Sequence, residues 1–337
     1  MSKKVLFICK QRIDSYGVSY GLINSANFLA NFLNKKGIDS KVATVVDSNT
    51  IDKEVYNYKA THVIIHALFV PTYKLEELIK KYNDINRQIL IHSKISFLAN
   101  EGIAIEWLKK YDNLAINYKN LGIAANNIQT VNALNLILNN KVLYLPNVYY
   151  HDIKLDNKPT KNENEFWVGC FGAVRPLKNH LIQAIAAMVY SDKEGKKLKF
   201  FINSSRIEQK GEPVYKNLKA LFEGTKHELV EVPWLNHKDF LNIVNQMDLG
   251  MQLSFTETFN IVAADLVYCK VPLIASKEIN WLPFYSKTDT QNINCIINSI
   301  KLNYLKIFNN LFTSLNSFNL YIKNSISKCI WLRFIRK

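Results

Sequence analysis

The stretch Ser254–Ser276, SFTETFNIVAADLVYCKVPLIAS, decides the fold that we predict for this chain. Its first residues are polar and include Glu257. Its middle is a run of small and apolar side chains around Asp265, and its end is the apolar stretch Val271–Ala275. The middle is typical of a helix packed against a sheet, and the end is typical of a short buried strand. Helices that lead directly into buried strands build parallel α/β sheets, so this segment predicts that fold class.

Two carboxylates stand out here, because Glu257 and Asp265 are eight positions apart. On one continuous helix they would lie within roughly 80° of each other and about 12 Å apart along the axis. Such a pair suits an extended polar ligand with hydroxyls at both ends, which is the shape of a nucleoside diphosphate sugar. The diphosphate would take the N–H groups at the helix start. The residues expected to bind the donor there are Thr258, Phe259, Asn260 and Ile261.

The alternative for this segment is a helix with a cap and one buried acid. We prefer the ligand, because an acid inside IVAADLVY has no other obvious partner in the sequence. Glu257 would then accept hydrogen bonds from sugar hydroxyls, and Asp265 would accept them from the ribose diol.

The alternation of apolar strand and amphipathic helix extends along most of the chain. In the first half it predicts strands at Val5–Cys9, Lys41–Val46, His62–Leu68, Gln88–His92, Gly122–Ala125 and Val142–Leu145. In the second half it predicts strands at Phe166–Phe171, Leu198–Ile202, Glu228–Val232, Leu249–Leu253 and Val271–Ala275. Residues 151–165, HDIKLDNKPTKNENE, separate the halves and are typical of an interdomain linker.

We therefore predict an α/β protein with two tandem Rossmann-like, doubly wound domains that face a cleft. The predicted N-terminal domain covers residues 1–150, and the predicted nucleotide-sugar-binding domain covers residues 166–290. Residues 291–337 are expected to form a helical tail. Ligands of such sheets bind beyond the carboxyl ends of the strands.

The composition is that of a soluble globular protein, with 48% of the 337 residues hydrophobic and 21% charged. No apolar run approaches the roughly 18 residues of a membrane span. The five cysteines have neither CxxC spacing nor Cys/His metal spacing, which favours reduced, buried thiols over a redox or metal site. We therefore expect a cytoplasmic protein.

The net charge of +15 is concentrated near the C-terminus. Residues 301–337, which we call the basic tail, carry seven basic side chains and no acidic one, together with several aromatic rings. That composition suits an anionic membrane surface, which would place the protein at the inner membrane face, or a nucleic acid backbone. A helix that packs on the protein body with a solvated basic face is the third interpretation, and the sequence leaves all three open.

Two groups of polar residues follow strands of the predicted N-terminal domain. Gly17 and Gly21 follow the first strand, where glycines let a ligand approach the backbone at a helix start. Their spacing is not GxGxxG, which disfavours a nicotinamide cofactor. His66 and His92 end two neighbouring strands, where side chains face a ligand rather than the core. The alternatives are an ordinary turn and structural histidines.

A third group, in FGAVRPLKNH, follows the first strand of the predicted second domain. Gly172 allows backbone conformations that other residues rarely adopt. Arg175 and Lys178 are cations at the N-terminal end of the next predicted helix. Two cations beside a helix N-terminus predict a diphosphate site that would neutralise a departing nucleoside diphosphate. The alternative is a solvated basic turn.

Together these residues resemble the retaining GT-B glycosyltransferases, specifically the family-4 group (glycosyl transferases group 1), of which this sequence looks like a divergent branch. That family combines a glycine-rich first loop, a histidine after a first-domain strand, an Arg/Lys pair and an E-x7-E motif. The parts that match are the loop Gly17–Gly21, His92, the cations Arg175 and Lys178, and the pair Glu257 and Asp265. Asp265 replaces the second glutamate, and Asn260 stands where the family commonly has glycine.

The resemblance implies transfer of a sugar from a nucleotide-sugar donor, such as a UDP- or GDP-sugar, with retention of the anomeric configuration. His92 and Glu257 would be the catalytic residues. No DxD-type motif is evident, so no metal and no further cofactor are expected. The acceptor, a glycan, a lipid or a modified DNA base, is not readable from the sequence. A nucleotide-sugar epimerase of the same architecture and a non-enzymatic nucleic-acid-binding module are the alternative functions.

Overall fold

The computed structural model describes residues 3–11, 20–98, 102–158 and 160–336. The chain divides into two compact units. The N-terminal unit runs from the start of the chain to His151 and includes the chain from Asn324 onward, whereas the second unit is Asp152–Lys323. Each unit contains one six-stranded sheet.

The sheet of the N-terminal unit has the strand order β2-β1-β3-β4-β5-β6, and all neighbours pair in parallel. Its strands are β1 (Lys4–Lys10), β2 (Asp39–Val45), β3 (His62–His66), β4 (Asn86–Ile91), β5 (Leu121–Ala125) and β6 (Leu143–Tyr144). The helices between them are α1 (Tyr20–Lys35), α2 (Ser48–Tyr58), α3 (Thr72–Lys81), α4 (Ile95–Leu98), α5 (Ala104–Asn117) and α6 (Ile128–Leu134). Helices that cover both faces bury β1 and β3 almost completely, which is why these strands are continuous apolar runs in the sequence.

The sheet of the second unit has the order β12-β11-β10-β7-β8-β9 and is also parallel. Its strands are β7 (Glu165–Val174), β8 (Lys197–Ile207), β9 (Glu228–Glu231), β10 (Leu249–Gln252), β11 (Leu273–Ser276) and β12 (Lys287–Thr288). The helices of this unit are α7 (His180–Lys193), α8 (Glu212–Phe222), α9 (His237–Val244), α10 (Ile261–Tyr268) and α11 (Ile293–Tyr304). The last helix, α12 (Lys306–Arg336), begins in this unit and ends in the N-terminal unit. Two doubly wound parallel sheets confirm the predicted fold class.

The strand orders define where each sheet can bind a ligand. In the second unit the chain winds outward from β7 through β8 to β9 and then returns to β10 on the other side of β7. The carboxyl ends of β7 and β10 therefore flank a topological switch point, which is the ligand-binding position in doubly wound sheets. In the N-terminal unit the corresponding switch point lies between β1 and β3.

The end of α12 belongs to the core of the N-terminal unit. Trp331 is fully buried beside Phe7, and its indole N–H donates a hydrogen bond to the Pro146 carbonyl at 2.7 Å. The Asn324 side chain bonds both the N–H and the carbonyl of Tyr149, at 2.9 and 3.0 Å. This end of the basic tail is therefore helical and packs on the body of the protein. Within the described ranges, the helices all fall short of the length and apolarity needed to cross a bilayer.

Candidate functional site

Gly172 lies near the end of β7, beside the switch point of the second unit. Its φ of +116° is a backbone conformation that side chains rarely adopt, and its N–H donates to the buried Asn203 side chain at 2.9 Å. A Cβ added at Gly172 would lie 3.5 Å from Cε and 3.7 Å from Nζ of Lys178. These are ordinary van der Waals distances, so it is the backbone conformation, rather than a lack of space, that favours glycine beside the lysine ammonium.

The ammonium of Lys178 forms an ion pair with Glu257, which follows β10 on the other side of the switch point. Both side chains are only 11% exposed, so this is not a solvated surface pair. Burial raises the pKa of Glu257, but the positive charges of Lys178 and Arg175 outweigh it and hold the pKa below its usual value. Glu257 is therefore an ionised, hydrogen-bond-accepting carboxylate at neutral pH.

Backbone and amide hydrogen bonds fix the two loops that carry this pair. The N–H of Phe255 donates to the Leu177 carbonyl at 2.9 Å, which joins the loop after β10 to the turn after β7. Asn179 donates to the Leu253 carbonyl at 3.1 Å, and the Leu253 N–H donates to Gln183 at 3.0 Å. These hydrogen bonds hold the two loops together without the ion pair.

Arg175 belongs to the same site through its charge. Its guanidinium lies 3.6 Å from Glu208, a carboxylate that Arg206 also binds at 2.5 Å. Because one carboxylate faces two arginines, this group carries excess positive charge. That charge also contributes to the lowered pKa of Glu257.

The start of α10 differs from the geometry that the sequence predicted. Asn260 has a φ of +56° and caps the helix by accepting from the Ala263 N–H at 2.9 Å. The helix therefore begins at Ile261, and Glu257 lies outside it. The angle and the spacing of about 12 Å that one continuous helix would give Glu257 and Asp265 therefore do not apply, because the backbone changes direction at Asn260, and Glu257 lies at the mouth of the helix.

Three predicted donor-binding residues take different places around this helix start. Phe259 is buried, and its ring stacks on the ring of Trp281. The indole N–H of Trp281 donates a hydrogen bond to the Phe259 carbonyl at 2.7 Å. Thr258 precedes it and is half-buried. Ile261 is the first helical residue, so its N–H has no partner within α10. This helix start follows Glu257 by four residues in the sequence.

Asp265 has a protein partner that we did not expect. It is 1% exposed, and one carboxylate oxygen lies 2.9 Å from Nε2 of His237, the first residue of α9. Our argument that no partner was available was wrong, because α9 and α10 pack together although their residues are far apart in the sequence. The role of Asp265 toward a ribose stays a prediction.

His180, the first residue of α7, is a buried neighbour of Lys178 and Arg175 that the sequence analysis did not single out. It is 1% exposed, and among the described residues neither ring nitrogen has a hydrogen-bond partner. Burial, and then the charges of Lys178 and Arg175, lower its pKa to about 3. His180 is therefore a neutral imidazole beside the cations. Its position one residue into a helix after a cation-bearing loop was the signal that could have identified it.

In the N-terminal unit, the two predicted histidines come together at the carboxyl ends of β3 and β4. Their rings stack with centroids 4.8 Å apart, and Nε2 of His92 lies 2.9 Å from Nδ1 of His66. Burial lowers the pKa of His92 to about 4 and that of His66 well below its usual value. Both rings are neutral near pH 7. The remaining predicted residue, Gly17, lies outside the described residues.

A chain of polar side chains determines which nitrogen of His92 carries the proton. The Ser25 hydroxyl donates to its own helix at the Gly21 carbonyl, so its oxygen accepts from the Asn147 amide at 2.7 Å. The Asn147 oxygen therefore faces Asn126 and accepts from its amide nitrogen at 2.6 Å. That nitrogen also lies 3.3 Å from Nδ1 of His92. An amide nitrogen can only donate, so Nδ1 of His92 is an acceptor and Nε2 carries the proton. The sequence analysis identified neither asparagine.

No protein-family model and no curated protein matches this sequence. Solved structures do match in fold. The sucrose-phosphate synthase from Thermosynechococcus elongatus has a TM-score of 0.71 at 11% identity over 99% of this chain and 98% of that one. A UDP-forming α,α-trehalose-phosphate synthase from Burkholderia xenovorans has a TM-score of 0.64 at 10% identity, covering 100% and 99%. Anabaena HepE in complex with UDP-glucose has a TM-score of 0.61 at 14% identity, covering 96% and 94%. This chain therefore has the two-domain GT-B fold that the sequence predicted.

Proposed function

We propose that this protein is a glycosyltransferase that moves a sugar from a nucleotide-sugar donor to an acceptor with retention of the anomeric configuration. The observation that carries the proposal is the buried ion pair of Lys178 and Glu257 above Gly172, at the switch point of the second sheet. Solved structures of the same fold include proteins described as UDP-forming and as complexes with UDP-glucose, which makes a UDP-sugar the first donor to test.

The cations would bind the diphosphate of the donor. A nucleoside diphosphate gains negative charge as the glycosidic bond to the sugar breaks, and cations held in a partly buried loop stabilise that charge without reorganisation. Lys178 and Arg175 supply the positive charge, and the backbone N–H of Ile261 adds a donor at the helix start. A glycine at position 172 allows the phosphates to approach the backbone closely.

Glu257 would accept hydrogen bonds from the sugar hydroxyls. Its lowered pKa keeps it ionised at neutral pH, so it offers acceptors and no proton. The same ionised state argues against a role as a general acid. Retention would then follow from attack by the acceptor on the face that the diphosphate leaves, with the departing diphosphate assisting deprotonation of the acceptor hydroxyl. In such a reaction the protein positions the reactants and stabilises charge.

His92 is proposed to contact the sugar near the reacting carbon. As a neutral ring with its proton on Nε2, it would act through hydrogen bonds and dipole rather than through a positive charge. No metal or further cofactor is included in the proposed reaction. The candidate acceptors are a glycan, a lipid and a modified DNA base.

A thermal-shift screen of UDP- and GDP-sugars with the full chain identifies the donor, and glycan, lipid and DNA acceptors are then tested with it. Lys178→Ala should weaken binding of the nucleoside diphosphate about tenfold, because a charge-assisted contact contributes about 1.5 kcal/mol or more. Glu257→Ala should abolish transfer without unfolding the protein. The anomeric coupling constant of the product, measured by NMR, reports retention or inversion.

The matched control is Lys197→Ala, which removes an exposed lysine of the same unit from its pair with Glu228. It should leave donor affinity and turnover unchanged. Turnover retained in Glu257→Ala would remove that residue from the site, and unchanged affinity in Lys178→Ala would remove the lysine. Release of free sugar or its epimer in the absence of any acceptor would instead favour an epimerase.

A further inference from the structure

The middle of helix α12 buries polar side chains and exposes apolar ones. Its buried positions between residues 313 and 327 are mainly polar and include Thr313, Asn316 and Ser327. The exposed positions include Asn310 and Ser314, but six of them are aliphatic or aromatic: Ile307, Leu311, Leu315, Phe318, Ile322 and Ile326. A helix on the surface of a globular protein normally does the opposite. The apolar side chains must therefore be explained by something outside the fold.

These six residues form one continuous stripe, which we call the α12 stripe. At about 100° per residue they fall within about 100° of the helix circumference, and they extend over about 28 Å of its length. Ile307 is 80% exposed and Phe318 is 58% exposed, so the side chains project rather than lie flat on the body. Single exposed apolar residues are common, whereas a long contiguous stripe marks an interaction surface.

The opposite face of α12 packs against the protein. The Asn316 side chain is 1% exposed and lies 3.2 Å from the Ser286 hydroxyl. Phe312 stacks on Tyr285 with ring centroids 4.3 Å apart. Because these contacts hold the helix in one orientation, rotation cannot bury the stripe without breaking them.

The charges around the stripe identify its partner. The basic tail carries seven basic residues and no acidic one. On the helix circumference, Arg333 and Arg336 continue the angular range of the stripe toward the C-terminus, and both are exposed. An apolar stripe in line with cations matches the interface of an anionic bilayer, where acyl chains take the apolar side chains and headgroups take the arginines. A second copy of the chain has the same excess of positive charge and offers no acidic residue in its basic tail to pair with these arginines.

We propose that α12 is an interfacial helix whose stripe inserts into the headgroup region of an anionic lipid membrane, parallel to its surface. The proposal assigns the stripe to lipid rather than to nucleic acid, because a phosphate backbone offers nothing for six apolar side chains. It is independent of the proposed enzymatic function and would place any lipid-linked acceptor next to the protein.

The test is cosedimentation of the full chain with vesicles of phosphatidylcholine containing about one-third phosphatidylglycerol, compared with phosphatidylcholine alone. Binding should require the anionic lipid and weaken with added salt. The double variant Leu311→Gln/Phe318→Gln should bind at least tenfold more weakly, because glutamine keeps the helix and removes the apolar surface. Arg333→Gln should weaken binding about fivefold.

The control variant is Leu136→Gln, which removes an 86% exposed leucine from the N-terminal unit and should not change binding. A separate variant, Phe318→Trp, should show a blue shift of tryptophan emission on the anionic vesicles. Absence of vesicle binding by the unmodified chain overturns the proposal. So does a concentration-dependent dimer that the double variant abolishes, or duplex DNA binding that the double variant abolishes.

Discussion

Removing the lysine of the buried ion pair should destabilise the second unit far more than removing an exposed lysine. In Lys178→Met the Glu257 carboxylate remains 89% buried with its closest cation gone. Loss of one partner of a buried pair costs about 3 to 5 kcal/mol. We expect about 3 kcal/mol, because the charge of Arg175 still acts on Glu257. The exposed pair of Lys197 and Glu228 gives the comparison, and Lys197→Met should cost no more than about 1 kcal/mol.

The loss should depend on pH in a defined direction. In the native protein the pKa of Glu257 is lowered, so the pair contributes stability above a pH of about 4.5 that is lost as the pH falls through the folded-state pKa. In Lys178→Met, burial acts against a weaker opposing charge, so the Glu257 pKa rises. The variant can then protonate the carboxyl, and its deficit should be larger at pH 7 than at pH 4.

Urea unfolding followed by circular dichroism at both pH values measures these free energies. Adding Glu257→Gln to Lys178→Met should recover most of the loss, with a coupling energy of about 2 kcal/mol in the double-mutant cycle. The reasoning fails if Lys178→Met costs no more than Lys197→Met. It also fails if the deficit is the same at pH 4 and pH 7.

Three further predictions concern the backbone and the histidines. Asn260→Ala should be less stable than Asn260→Gly by about 1 kcal/mol in urea unfolding, because alanine tolerates the φ of +56° poorly; equal values would contradict this. Burial lowers the pKa of His62 and His92 to about 4, so the unfolded chain binds more protons between about pH 4 and pH 6.5. The free energy of unfolding should therefore rise with pH across that window, and His92→Gln should flatten the rise. Asn126→Leu should remove the hydrogen bond that fixes the tautomer of His92. Nitrogen-15 NMR should show Nε2 protonated in the native protein and a mixture of the Nδ1-protonated and Nε2-protonated tautomers in the variant. An unchanged spectrum would refute the order of hydrogen bonds.

The strands and the fold class were predictable from local sequence. Parallel strands buried on both faces must be apolar runs, and those runs at Val5–Cys9, His62–Leu68 and Leu249–Leu253 overlap β1, β3 and β10. Helix α10 (Ile261–Tyr268) lies in the run of small and apolar side chains around Asp265 that was predicted to be helical. The two-residue strand β12 (Lys287–Thr288) was not predicted, since a single edge pairing produces no periodic signal.

Side-chain pairing was predictable only where the switch-point rule applied. It placed Lys178 and Glu257 at adjacent strand ends, and the structure joins them in one ion pair. The pairing of His237 with Asp265 was not predictable, because it depends on how α9 packs against α10. The positive φ of Asn260 was also not predicted, because the local composition does not reveal a backbone conformation at a single residue.

The basic tail shows the same difference between what the sequence determines and what the tertiary structure determines. The sequence alone determined that residues 301–337 are basic, aromatic and without acids, because charge is a property of composition. It also determined the two α/β repeats, because burial on both faces of a parallel sheet requires continuous apolar runs. Only the tertiary structure decided that Trp331 enters the core while Phe318 projects to solvent. The physical reason is that helical periodicity defines two faces, whereas the surrounding fold selects which face is buried.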